Sequence, residues 1–157
     1  IRDSKEVLSE KHSEVKGRYD SSRERIKEIE KRLKVISSDI KNIEDYRKNK
    51  PIANKLEAVV FKERYMREHE SELIIFTAAE KYLAKRFNGK PPLIKELRAE
   101  QKRLSAERDK LYGEYYSAKE QLAEIDKAVK NVDMILRLGK EKVHERDVQR
   151  KKNSELE

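Results

Sequence analysis

From Ile26 onward the apolar residues fall at Ile26, Ile29, Leu33, Ile36, Ile40 and Ile43. Steps of three and four residues in alternation mark the a/d seam of a heptad. A helix with so narrow an apolar line can bury it only against another helix. The same register runs back through Tyr19, Val15, Leu8 and Ile1, but also through polar Ser22, His12 and Lys5. The seam is therefore strong over 26–43 and loose towards the start. Arg18, Arg23, Arg25, Glu30 and Arg32 flank it, as e and g residues do. A second heptad follows later. Leu97, Leu104, Leu111, Ala118, Ile125 and Val132 recur every seven residues, with Tyr115, Leu122, Val129 and Leu136 four residues after their partners. Gln101 and Arg108 are its polar exceptions. Each arm of ~45 residues would span roughly 65 Å. The reading is an all-α fold, a long antiparallel coiled-coil hairpin with a small two-helix cap at its tip. Its register places Ile43 near Leu97, Ser22 near Ala118 and Leu8 near Val132. A strict seven-residue repeat implies left-handed supercoiling. A parallel homodimer of the arms remains open at this point.

Composition agrees with long helices. Of 157 residues, 45% are charged and only 36% hydrophobic, with 4 Gly and 3 Pro. An ordinary domain has about 25% charged residues. Scarce turn residues argue against a sheet-rich or α/β enzyme. The absence of Cys excludes disulfides, thiolate metal sites and thiol catalysis. No apolar run is long enough to span a membrane.

Four segments follow: a first arm over 1–49, a helical cap and loop over 50–92, a second arm over 93–138, and a charged tail over 139–157. Pro51 is expected to interrupt the first arm after Lys50. Two short helices are expected next, over Ile52–Phe61 and from Glu68 to about Phe87, the latter being the most hydrophobic stretch. Asn88-Gly89-Lys90-Pro91-Pro92 reads as a loop. The second arm should begin after Pro92 and end at Gly139. The tail beyond, with Arg150-Lys151-Lys152, reads as disordered. An opening at Ile1 without Met is the expectation for a piece of a longer protein, and Leu156-Glu157 for a vector scar. With no targeting segment visible, the cytoplasm is the default location.

A search for catalytic chemistry yields no catalytic, cofactor-binding or metal residue to nominate. His12, His69 and His144 lie on separate segments, whereas a zinc site needs clustered ligands. His12 reads as a polar seam residue. Glu68-His69-Glu70-Ser71-Glu72 reads as a solvated helix start, with acids near its positive end. Carboxylates alternate with Lys and Arg along exposed faces, without a pocket to shift their pKa values. Tyr112, Tyr115 and Tyr116 read as seam and flank packing.

The net charge of +8 points elsewhere. Cations interleaved with Tyr46, Phe61, Tyr65, Phe76, Tyr82 and Phe87 could contact phosphates, with salt-sensitive affinity. The candidate nucleic-acid contacts are Arg47, Lys48, Lys50, Lys81, Lys85, Arg86 and Lys90. No helix-turn-helix or zinc-finger pattern suggests base reading. The competing reading is charge that merely solvates a spacer or oligomerisation module.

An ordered series of segments adds a family resemblance. Tyr46-Arg47-Lys48-Asn49-Lys50-Pro51 is followed by Phe61-Lys62-Glu63-Arg64-Tyr65, Glu68 to Phe76, and Ala78-Ala79. Then come Leu93-Ile94-Lys95-Glu96-Leu97, Leu111-Tyr112-Gly113-Glu114-Tyr115 and Asn131-Val132-Asp133-Met134-Ile135-Leu136. Over about residues 25–138 the series resembles the C-terminal helical region of relaxases, the mobilisation nucleases of Gram-positive conjugative and mobilisable elements. Relaxases nick one DNA strand at an origin of transfer through a tyrosine, with a histidine cluster holding a divalent metal. Neither that cluster nor the nuclease domain lies in this chain, so no catalytic role carries over. The resemblance implies an accessory domain that contacts DNA, docks on relaxosome or secretion-channel proteins, or dimerises.

Overall fold

The computed structural model describes residues 2–156. The chain is all-α: α1 (Arg2–Ala58), α2 (Lys62–Glu68), α3 (Glu70–Phe87) and α4 (Ile94–Leu156). It divides into two compact units, Ile1–Arg25 with Lys110–Glu157, and Ile26–Asp109. In each unit α4 packs antiparallel against α1, the pairing expected of a coiled-coil hairpin. Ile1, the first expected seam residue, lies outside the described residues, as does Glu157 at the end of the tail.

In the first unit Val15, Ala118 and Ile125 are buried, with Tyr19, Leu122 and Val129 packed against them. Ser22 is 5% exposed and Ala118 3%, and both line the same groove, as the expected register requires. Polar contacts hold that register on the flanks. Lys5 Nζ lies 3.2 Å from Asp133 Oδ1, and Arg18 Nη2 donates to Gln121 Oε1 at 3.2 Å. His12, the expected polar seam residue, lies 3.8 Å from Asp126. The Tyr19 and Tyr115 rings stack with centroids 4.9 Å apart, and their hydroxyls share a 3.2 Å hydrogen bond. That hydrogen bond, with burial, holds the Tyr115 phenol above its ordinary range.

The second unit contains three long helical segments. Ile29, Ile36 and Ile43, seven residues apart, are 0–1% exposed. Leu97 and Leu104 supply the matching line on α4. Arg98 Nη2 donates to Glu44 Oε1 at 2.6 Å, one step from Ile43 and Leu97. Arg32 grips Glu100 in a bidentate pair, Nε to Oε1 at 2.8 Å and Nη2 to Oε2 at 3.0 Å. The hydrogen bond from Arg32 holds the Glu100 carboxyl below the usual carboxylate range. A depressed carboxylate pKa stabilises the fold above the unfolded-state pKa, and that contribution is lost as pH falls through the folded value. Melting temperature should therefore drop as pH falls from ~5 to ~3, and Glu100→Gln should flatten part of that drop. An unchanged acid limb in the variant would assign the drop to other groups.

α3 folds back along α1. Tyr46 stacks on Phe76 with centroids 5.1 Å apart, while Asp39 binds Tyr82 and Arg86. Asp39 and Tyr46 are seven residues apart and so share one line of α1, the line that faces α3. Since α3 and α4 both run antiparallel to α1, they run parallel to each other. Arg86, near the end of α3, lies level with Asp39, and Arg98, in the first turns of α4, lies level with Glu44, so the chain between them returns along the axis by ~8 Å, about five residues of rise. Loop chemistry suits this task. Asn88 takes left-handed φ 55°, and Gly89, at φ 77°, donates to the Leu83 carbonyl. These bonds close the C-terminus of α3, and Pro91-Pro92 keep the return extended.

Three boundaries differ from expectation. Pro51 does not interrupt the first arm: α1 passes through it to Ala58, so Ile52 to Ala58 form no separate helix. An interior proline costs about 3 kcal/mol. Contacts on both sides of it offset that cost. Asn49 is buried, with Nδ2 donating to the Asp45 carbonyl at 2.8 Å, and the Tyr65 hydroxyl donates to the Ile52 carbonyl at 2.7 Å. The latter comes from α2, the short helix lying ahead of α3. Finally, α4 does not stop at Gly139 but runs helical to Leu156, so no disordered tail begins there. One glycine costs a helix only about 1 kcal/mol, and the Lys, Glu, Arg and Gln that follow are good helix formers. Residues 137–156 are all exposed.

Candidate nucleic-acid interface

The seven nominated cations all lie in the second unit, on α1, α3 and the loop after it. Arg47, Lys48 and Lys50 project from α1 within about one turn; all three are exposed. The Lys50 ammonium sits 5.4 Å from the Tyr46 ring centroid, and Tyr46 is itself held by Phe76. Lys81 and Lys85 occupy successive turns of α3, and Lys90 follows in the loop; these too are exposed. The six cations other than Arg86 make no ion pair among the described residues.

Arg86 does not belong with them. Its Nε donates to Asp39 Oδ1 at 3.1 Å, and its Nη2 approaches Oδ2 at 3.4 Å. The Tyr82 hydroxyl donates to the same Oδ1 at 2.6 Å. Asp39 is 1% exposed, so its charge is compensated almost wholly by these two donors. Burial and then the bond to Asp39 raise the Tyr82 phenol pKa, and the bond to Asp39 raises that of the Arg86 guanidinium. Arg86 thus spends its charge on a buried carboxylate, while its side chain stays 39% exposed. Sequence reasoning missed Asp39, which precedes seam residue Ile40 and reads as one more surface acid. Its seven-residue spacing from Tyr46 was the available signal.

A second basic surface lies in the first unit, and the sequence did not flag it. Small side chains at Ser21, Ser22, Gly113, Ser117 and Ala118 leave a groove of about 780 Å³ between the two helices. Arg18, Arg25, Lys110 and Glu114 also line it. Serine hydroxyls and cations in one concavity are phosphate-binding chemistry. The facing of small Ser22 and Ala118 was legible; the opening that it leaves was not.

The remaining polar clusters serve other ends. Tyr112, Tyr115 and Tyr116 pack edge-to-face or stacked on one another. His69 is the N-cap residue of α3, with Glu70 and Glu72 in the first turn as expected, and its ring is half-buried against Tyr65, 4.4 Å between centroids. Its Nδ1 is buried without a hydrogen-bond partner. Among the described residues no three His, Asp or Glu side chains gather to hold a metal ion, and no helix is long and apolar enough to cross a membrane. No protein-family model, curated protein or solved structure matches this chain.

Proposed function

We propose that this chain is a non-catalytic helical accessory domain of a conjugative relaxase, contributing DNA contacts and docking for relaxosome proteins during mobilisation. The family part rests on the ordered series of segments described above. The physical part rests on one observation: six exposed cations of the second unit make no ion pair among the described residues. Such groups release counterions on meeting a phosphate backbone, and affinity then falls steeply with salt. Aromatic Tyr46 beside Lys50 adds a surface on which an unpaired base could stack. With no helix-turn-helix or zinc-finger pattern to present base-reading side chains, the proposed contact is to backbone and not to base edges.

The test is fluorescence anisotropy with single- and double-stranded oligonucleotides over a salt series. Replacing Arg47, Lys48, Lys85 and Lys90 by glutamine should weaken binding about tenfold or more at ~50 mM salt and flatten the salt slope. Helical content should not change, because none of the four side chains makes a hydrogen bond or ion pair among the described residues. Absence of binding at low salt, or a quadruple variant that binds like the parent, overturns the DNA reading. A spacer role would then stand. The cross-helix pairs Arg32–Glu100 and Arg98–Glu44 favour that second reading, since they spend charge on holding the helices together.

A further inference from the structure

α3 has two faces of different character. Phe76, Ala79, Leu83 and Arg86 recur at three- and four-residue steps and form the face turned to the rest of its unit. On the opposite side Glu70, Ile74, Thr77 and Lys81 form a second line with steps of four, three and four. All four are exposed, Ile74 at 61%. Leu73 and Ala78 flank them, and together with Met66 of α2 they form an open apolar groove. The heptad of the two long arms does not account for this line.

The order of side chains along it is self-complementary. In an antiparallel pair of α3 helices related by a two-fold axis, positions summing to 151 face each other. Glu70 then faces Lys81 of the second copy, and Lys81 faces its Glu70. Bulky Ile74 meets small Thr77, and bulky Leu73 meets small Ala78, each twice. Every flat or raised point finds its complement, and no like charges oppose. An isologous contact requires this self-complementarity, since one patch must serve as both halves.

We propose that the outward face of α3 is a homodimerisation surface, occupied by α3 of a second copy in antiparallel orientation. The contact is one helix pair ~27 Å long, which places it at the small end of specific interfaces and makes the dimer a reversible one. The proposal does not depend on DNA contact or on the family resemblance, and it gives Lys81 a protein partner in place of phosphate.

Sedimentation equilibrium on the full chain over a wide concentration range at ~150 mM salt tests it. The weight-average mass should rise from that of the monomer towards twice that value. Glu70→Lys and Lys81→Glu should each weaken self-association about tenfold or more, because each places like charges opposite one another at two points. The double variant Glu70→Lys/Lys81→Glu should dimerise like the parent. The two single variants, when mixed, should associate with each other better than either does with itself. Far-UV circular dichroism should be unchanged throughout, as these exposed side chains make no hydrogen bond or ion pair among the described residues. A monomer at all concentrations overturns the proposal. So does a dimer indifferent to the single substitutions, or a double variant that fails to recover.

Discussion

Replacing Ile36 by alanine should cost the protein about 3 kcal/mol of unfolding free energy, measured by urea denaturation followed by circular dichroism. Ile36 is fully buried, and it sits midway between Ile29 and Ile43 on the apolar line of α1. Removing three carbons there deletes both their transfer energy and the contacts of the neighbours left around the void. Helices this polar have little else to rely on, since exposed ion pairs contribute only about 0–1 kcal/mol each. Domains are commonly stable by about 5–15 kcal/mol in total. Ile40→Ala, at a half-buried position four residues on, serves as the control and should cost clearly less. Equal losses at both positions would mean that the seam is not graded as the burial pattern requires.

Removing the buried carboxylate should be nearly as damaging. Asp39→Ala is expected to lose about 2–3 kcal/mol, because it leaves the Tyr82 hydroxyl without its acceptor and empties the centre of the α1–α3 contact. Tyr82→Phe is the complementary change, taking away one of two donors to a charge that is 1% exposed. It should cost about 1.5–3 kcal/mol, the range for hydrogen bonds to charged groups. The pair Asp39→Leu with Tyr82→Phe should recover much of the single-variant loss, since a buried polar cluster replaced by apolar groups of similar shape is often neutral. Non-additivity is the diagnostic: if the double variant loses the sum of the singles, the cluster does not act as a unit.

The places where expectation and structure part company share a cause. Pro51 reads as a helix stop because its ring removes one hydrogen bond locally. The contacts that carry α1 past it come from Asn49 and from Tyr65, thirteen residues away, whose hydroxyl reaches the Ile52 carbonyl. Gly139 reads as a C-cap, yet it takes no left-handed conformation and the helix continues. Arg86 reads as one cation among seven, and only its distance to Asp39 distinguishes it. Each case is a local signal overruled by a partner distant in sequence or by the weakness of the signal itself. Ser22 opposite Ala118 went the other way: two small residues at matching heptad positions do face each other, because the seven-residue repeat constrains both helices along their whole seam.

The sequence by itself determined the helical class and the two long seams, and it offered the antiparallel register beside a parallel pairing that it left open. Class and seams follow from apolar spacing, whereas a heptad alone does not fix the direction of its partner. Tertiary structure alone decided that α3 lies along α1 and that Asp39 is buried. It also decided that Arg86 is paired with that carboxylate and that one face of α3 is left uncovered. The physical reason is that a third helix adds a second buried line to α1, and that line is drawn in polar and aromatic residues. Asp39 and Tyr46 carry no apolar periodicity to announce it. Their burial is favourable only once Tyr82, Arg86 and Phe76 are in place.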